Sequence, residues 1–491
     1  MISEFVKAAA QGGIDIFRIY DCFNNVSRMR STIEAVKATG KVAEVCICYT
    51  SDISTSEVFN AEYYTSVAHQ IRDAGAHMIC IKDPAGLLTP QASRTLMAAI
   101  QKVEDFALHF STHCTSPAAI ATAIEMARNG CDVVDCATAT MADIPAQPSL
   151  NALCARYGLQ SSLFQLCSVD AHVLLCIGSM TGESTNSGLD FMTLEPYDIY
   201  WMHVRDLYLP FDRTPKSVRH FTAEIPGSQF ATLLERCSRE LGDRAWLDFC
   251  GTYREINLLL GNILKVSLVS EAISDLAFYL LSHGFTVKDI LVNDRLQFPD
   301  SFVSLIRGDY GEPLPGTFPE EVRRVVLKRA GRALAVPRVV SASSRRFFGD
   351  DFPRLISPCF VRQKLQSAKS TLERLWKMTF DMHRTLSHVV CPEIFKDYLE
   401  FCSEFSFASS YLPTNVFWYG MNLGQNVVLH GVPKSQLESL GLDNTAIPEN
   451  RNFLDVQIQL GDIFEQGNSK VLSFTVNGRE QRVQVDMEVG V

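Results

Sequence analysis

Between residues 13 and 138 short apolar runs alternate with segments whose apolar positions recur at helical spacing. The runs are Gly13–Asp21, Val42–Thr50, His77–Asp83, Leu108–Cys114 and Cys131–Ala137, and each ends in polar residues. Between them Ser31–Gly40, Phe59–Gly75 and Pro117–Asn129 read as helices, so the pattern predicts parallel strand–helix units. Five such units fall in about 150 residues, whereas a closed (β/α)8 barrel takes eight units and roughly 250 residues. The expected fold is therefore an incomplete (β/α)8 TIM barrel, with three units expected before Met1. In such folds chemistry collects at the carboxyl ends of the strands, and Lys82 and His113 stand there. Gly-Ile-Asp-Ile-Phe-Arg18-Ile-Tyr-Asp21 carries charge that an ordinary buried strand would avoid. An Arg18–Asp21 ion pair between strands is the expected way of accommodating it.

From about Asn151 the period changes. Segments bearing Trp201, Arg205 and Tyr208, then Phe230–Leu241 and Tyr253–Leu281, predict a mostly helical region to about Arg332. Ser341-Ala-Ser-Ser-Arg-Arg346 has linker character. Thr385–Phe405 reads as a helix, the tail from Val416 alternates apolar and polar residues, and Val471–Val485 reads as a hairpin on an Asn477-Gly478 turn. The expected division is a partial barrel at 1–157, a helical region at 158–335, a linker and linking helix at 336–384, and a smaller α+β domain at 385–491. The fold class is thus α/β.

Composition narrows the function. The 491 residues are 47% hydrophobic and 20% charged, with a net charge of -10, which points away from nucleic acid and from anionic membranes as partners. The 15 cysteines show neither zinc-site pairs nor a compact disulfide framework, and read as buried, reduced thiols of an intracellular protein. The start, Met1-Ile-Ser-Glu-Phe-Val-Lys, reads as a helix inside a domain rather than a signal peptide.

These motifs carry a resemblance. Gly13–Asp21, Ile81-Lys-Asp-Pro-Ala-Gly-Leu-Leu88, Thr112-His113-Cys-Thr-Ser, Asp132-Val-Val-Asp135 and Gln147-Pro-Ser149 resemble the carboxyltransferase domain of the pyruvate carboxylase family. Glu224-Ile-Pro-Gly-Ser-Gln-Phe230, Gly261-Asn-Ile-Leu-Lys-Val-Ser267 and Gly311-Glu-Pro with Phe318-Pro-Glu320 are similar to the α-helical funnel that follows its barrel. Leu386–Phe395 and the terminal hairpin resemble its allosteric, tetramerisation-type domain.

The resemblance implies transfer of a carboxyl group from carboxybiotin to pyruvate, giving oxaloacetate, by a homo- or hetero-oligomer. It further implies a divalent metal, Mn or Zn, acting on the pyruvate oxygens. Lys82 matches the family's carbamylated lysine ligand and His113 the second of its two ligand histidines; Ser267 matches the threonine that carries a proton between pyruvate enolate and biotin. Departures accompany these matches. Ser111 stands in place of the first ligand histidine, a poorer donor than imidazole; Cys114 replaces an aspartate, Pro117 a glycine, and Glu271 a biotin-pocket lysine. The metal aspartate and the substrate-binding arginine are expected before Met1. The biotin-bearing domain is expected after the hairpin, so this chain holds no biotinylation site. The expectation is weak metal binding and no turnover by this chain alone with free biotin. A truncated or degenerate non-catalytic homologue acting through assembly is the alternative, and a metal-dependent aldolase or lyase on the same barrel a third.

Overall fold

The computed structural model describes residues 2–103, 106–116, 118–142, 145–157, 172–176, 191–209, 224–331, 366, 369–370, 373, 381–433, 453–466 and 469–486. The chain divides into two compact units, Met1–Lys364 and Leu365–Val491. Pro117 and the Ser341–Arg346 segment lie outside the described residues.

In the first unit, five strands, β1 (Ile16–Ile19), β2 (Val42–Cys48), β3 (Met78–Asp83), β4 (Ala107–Thr112) and β5 (Val133–Ala137), form a parallel sheet in sequence order. The connecting helices after α1 (Ile2–Gln11) are α2 (Val26–Lys37), α3 (Ala61–Asp73), α4 (Pro90–Ile100) and α5 (Ala119–Arg128). Their starts follow local chemistry. The side chains of Asn25, Asn60 and Thr89 accept the amides of Ser27, Tyr63 and Ala92, and Pro90 opens α4 where no amide is needed. This is the incomplete barrel that the run pattern predicts, with each strand shorter than its apolar run.

One strand interrupts the expected mostly helical continuation. After α6 (Leu150–Tyr157), β6 (His172–Cys176) pairs antiparallel with β5, Val133 opposite Cys176. A five-residue apolar run is too short for a stable helix, and here it satisfies the backbone of β5's outer edge, the one not paired with β4.

The helical region comprises α7 (Phe191–Tyr208), α8 (Gly227–Glu240), α9 (Trp246–Leu259), α10 (Val269–Ser282), α11 (Asp289–Val292), α12 (Asp300–Arg307) and α13 (Glu320–Arg329). The single helix expected over Tyr253–Leu281 is two. Gly261 takes φ +87° and Leu268 takes φ +69°, and the loop between them turns back onto the barrel. Tyr253, Phe249 and Phe278 from α9 and α10 join the apolar cluster that contains Ile47, Ile79 and Phe110 of the strands. Barrel and helical region therefore share one core.

In the second unit the expected Thr385–Phe405 helix is likewise split, into Met382–Val390 and Pro392–Tyr411, because Pro392 cannot continue the first helix and opens the second. Strands β7 (Asn426–Pro433), β8 (Phe453–Gln466), β9 (Ser469–Val476) and β10 (Arg479–Asp486) form an antiparallel sheet in the order β10-β9-β8-β7. Asn477 (φ +47°) and Gly478 (φ +82°) make the predicted hairpin turn. Val416, Leu429, Val432 and Val456 form a separate core.

Candidate active site

Strand register sorts the sheet into two faces. Side chains alternate along a strand, and the pairings Arg18 with Glu44, Cys48 with Lys82, Lys82 with Ser111, and Cys80 with His109 put these residues on one face. The opposite face carries Ala43, Val45, Ile47, Ile79, Ile81 and Phe110, all buried. The polar face is the inner one and holds a closed ion network. Arg18 bonds the Glu44 carboxylate through Nε and Asp135 through Nη1 at 2.6 Å, and reaches Ser111 Oγ at 3.3 Å. His109 lies between the same two acids, its Nε2 at 2.8 Å from Asp135 and its Nδ1 on Glu44. Burial opposes the imidazolium, but the hydrogen bonds it donates to Asp135 and Glu44 outweigh it and raise the His109 pKa to about 10. Burial likewise works against both carboxylates, yet His109 and Arg18 hold them below their ordinary values. Two cations and two anions thus neutralise one another inside the barrel.

The expected Arg18–Asp21 pair does not form. They stand three positions apart, an odd number, so their side chains leave opposite faces. Asp21 instead accepts the amides of Phe23 and Asn25 and lies 3.4 Å from Arg28.

Above the network, at the strand ends, stand the residues singled out by sequence. Tyr20, two residues beyond Arg18, joins two of them. Its ring faces Lys82, with Nζ 4.6 Å from the centroid, and its hydroxyl is 3.4 Å from Ser267 Oγ. A cation over an aromatic face at this distance is worth about 0.5–1 kcal/mol where solvent reaches it. Ser267 is exposed, and its loop is anchored from below. Buried Lys265 donates to Thr50 Oγ1 at 2.8 Å and lies 3.0 Å from Glu224, while Thr50 Oγ1 is 3.2 Å from the Ile263 carbonyl. Burial lowers the Lys265 pKa against the pull of Glu224. Asp83 fixes the turn after Lys82 by accepting the amides of Leu87 and Leu88, both at 2.9 Å, and burial pushes its pKa up to about 6 in spite of those bonds.

His113 follows the end of β4 directly. Its Nδ1 is 2.7 Å from the Pro145 carbonyl, and the start of α8 packs on its ring. A Cβ at Gly227 would lie 2.5 Å from His113 Cγ, so only glycine permits the approach. Cys114 is buried and Glu271 lies exposed in the first turn of α10.

The described donors do not by themselves complete the divalent-metal site implied by the resemblance, because Ser111, the register neighbour of Lys82, stands where its first ligand histidine would be. Among the described residues the only group of three His, Cys, Asp or Glu ligand atoms within 4.8 Å of one another is Glu44, Cys80 and His109. His113 is outside it. That trio is not an open site either, because both ring nitrogens of His109 and the Glu44 carboxylate are engaged in the ion network. Sequence reasoning passed over Glu44, His109, Tyr20 and Lys265. Each carried a signal: an isolated polar residue at every second position of an apolar strand, or, for Lys265, a lysine inside an apolar run.

Comparison with known proteins follows the same order along the chain. Residues 19–142 match the family described as HMGL-like and residues 221–437 that described as "Conserved carboxylase domain". The pyruvate carboxylase of Bacillus subtilis (strain 168) is 32% identical over 99% of this chain and 38% of its own length, and that of Staphylococcus aureus (strain Mu50) 27% identical over the same shares. The chain thus spans under two fifths of these curated relatives. The carboxyl transferase domain of Rhizobium etli pyruvate carboxylase, solved with pyruvate and biocytin, superposes with a TM-score of 0.79 at 27% identity, over 99% of this chain and 73% of that one. Parallel half-barrel, helical region and small sheet domain all correspond, and the chain belongs to the family of the pyruvate carboxylase carboxyltransferase domain.

Proposed function

We propose that this chain carries out the carboxyl transfer of a biotin-dependent pyruvate carboxylase, moving the carboxyl group of carboxybiotin to pyruvate to give oxaloacetate. The observation that carries the reading is the placement of Ser267, exposed at the mouth of the sheet and within hydrogen-bonding reach of Tyr20, on a loop anchored to the end of β2. In this reading Ser267 accepts the proton leaving the pyruvate methyl group and delivers it to the biotin nitrogen. The C–H and N–carboxyl bonds break; the C–carboxyl and N–H bonds form. A hydroxyl needs no net change of charge to do this, because it both accepts and donates.

Lys82 and His113 are the positions that the family relation assigns to a metal, manganese or zinc. Their surroundings here support no step through such an ion, and none is included. We further propose the domain limits 1–157, 158–335, 336–384 and 385–491, and an oligomer formed through the last of these.

The test supplies a biotinylated carrier protein bearing a radiolabelled carboxyl group. With this protein and pyruvate present, label passes into oxaloacetate, trapped as malate. Release of all label as carbon dioxide, at the same rate with and without the protein, rejects the reading. The second reading, a homologue that acts through assembly, is favoured by the apolar residues that the four-stranded sheet exposes, Phe453, Ile463, Phe464, Val483 and Val485. It gains if a folded, oligomeric protein leaves the label untransferred.

A further inference from the structure

Lys82 is a half-buried cation at the strand ends with no salt bridge among the described residues. The acids nearest to it along the inner face are already committed, since Glu44 and Asp135 each contact both Arg18 and His109. Its described neighbour is the face of Tyr20, 4.6 Å away. An aromatic face carries negative potential, so it favours an ammonium and disfavours the anionic carbamate that a metal-ligating lysine requires. The Tyr20 hydroxyl points to Ser267, and Ser111 is the register neighbour of Lys82 on the same face. The result is a positive charge against an exposed tyrosine ring whose hydroxyl leads to the exposed Ser267.

We propose that Lys82 acts here as an ammonium that binds the carboxylate of a 2-oxo acid, with the Tyr20 and Ser267 hydroxyls beside it, and not as a carbamylated metal ligand. The proposal rests on the carboxyl-transfer reading for the identity of the acid. Its chemistry is complete without a metal. A short 2-oxo acid presents a carboxylate to the ammonium and leaves its methyl group toward the Ser267 hydroxyl.

Calorimetric titration of the purified full chain with pyruvate and with oxamate, in EDTA, tests this, with a melting curve as the folding control for each variant. Wild type binds both. Lys82→Arg, which keeps the charge and cannot form a stable carbamate, stays within about threefold of wild type. Lys82→Met weakens binding at least tenfold, and Tyr20→Phe weakens it less. The same protein equilibrated with ¹³C-bicarbonate shows no carbamate carbonyl signal in its NMR spectrum. Three results each overturn the proposal: a carbamate signal that vanishes in Lys82→Arg; binding that needs added manganese and is lost equally in the Arg and Met variants; or no binding by wild type. Should Lys82→Met fail to fold, the Arg variant and the carbamate spectrum still decide. Binding without label transfer would sink the carboxyl-transfer reading alone, whereas Ser267-dependent transfer with no Lys82-dependent binding would sink this proposal alone.

Discussion

Two cations on one face of the sheet, Arg18 and Lys82, show how neighbours decide what a charged residue does. Arg18 is saturated by Glu44 and Asp135 and belongs to the barrel's interior; Lys82 meets an aromatic face and remains available to a ligand. Removing one member of a buried ion network leaves an uncompensated charge and costs about 3–5 kcal/mol. Glu44→Ala is therefore expected to lower unfolding free energy by about that amount in urea melts, and an unchanged midpoint would mean the network is not formed. His109 adds a pH dependence. Its pKa is raised from 6.5 to about 10 in the folded state, so its stabilising contribution is complete below about pH 6.5 and is lost as pH rises through 10. Thermal melts across that range should show falling stability in wild type and a flatter profile in His109→Gln. The donor set also predicts metal content: elemental analysis of purified protein should find well below one equivalent of manganese or zinc. A stoichiometric ion lost in Lys82→Ala or His113→Ala would contradict it.

At the scale of elements, the strands were readable because a buried parallel strand is a short apolar run and nothing else in this region has that length. The faces were less readable. Assigning Asp21 to Arg18 ignored the two-residue period, which instead puts Tyr20 on the side of Arg18. Helix breaks differ from the expected continuous helices where their cause is local, Pro392 in one case and the positive-φ residues Gly261 and Leu268 in the other. The short strand His172–Cys176 was not foreseen because its reason lies in β5, a partner distant in sequence. The approach of α8 to the barrel depends on Gly227, and Gly227→Ala would place a methyl group in the His113 ring. Overpacking of this kind typically costs about 1–3 kcal/mol. The expected outcome is a destabilised protein with His113 displaced, visible as a shifted imidazole resonance; a melt and spectrum identical to wild type would show that α8 does not pack there.

For the whole molecule, the order of parts was legible because three motif groups lie along the chain in one sequence: strand-end motifs, the Glu224–Ser267 loops, and the terminal hairpin. The identity of the site residues was less so, since Ser111 breaks the expected histidine pair and the ion network on the same face draws on four different strands. What joins the barrel to the helical region is the shared core and the Lys265–Thr50 contact, which together set Ser267 over Tyr20. Proton transfer by a positioned side chain typically contributes about 10²–10⁴-fold to rate. The most direct measurement is therefore the rate of carboxyl transfer from a carboxylated biotin carrier to pyruvate in Ser267→Ala and Ser267→Thr, compared with wild type at equal folded concentration. The alanine variant should fall by about 10²-fold or more while threonine, which restores a hydroxyl, stays within about tenfold. Equal rates in all three would place the proton path, and with it the active site, somewhere other than Ser267.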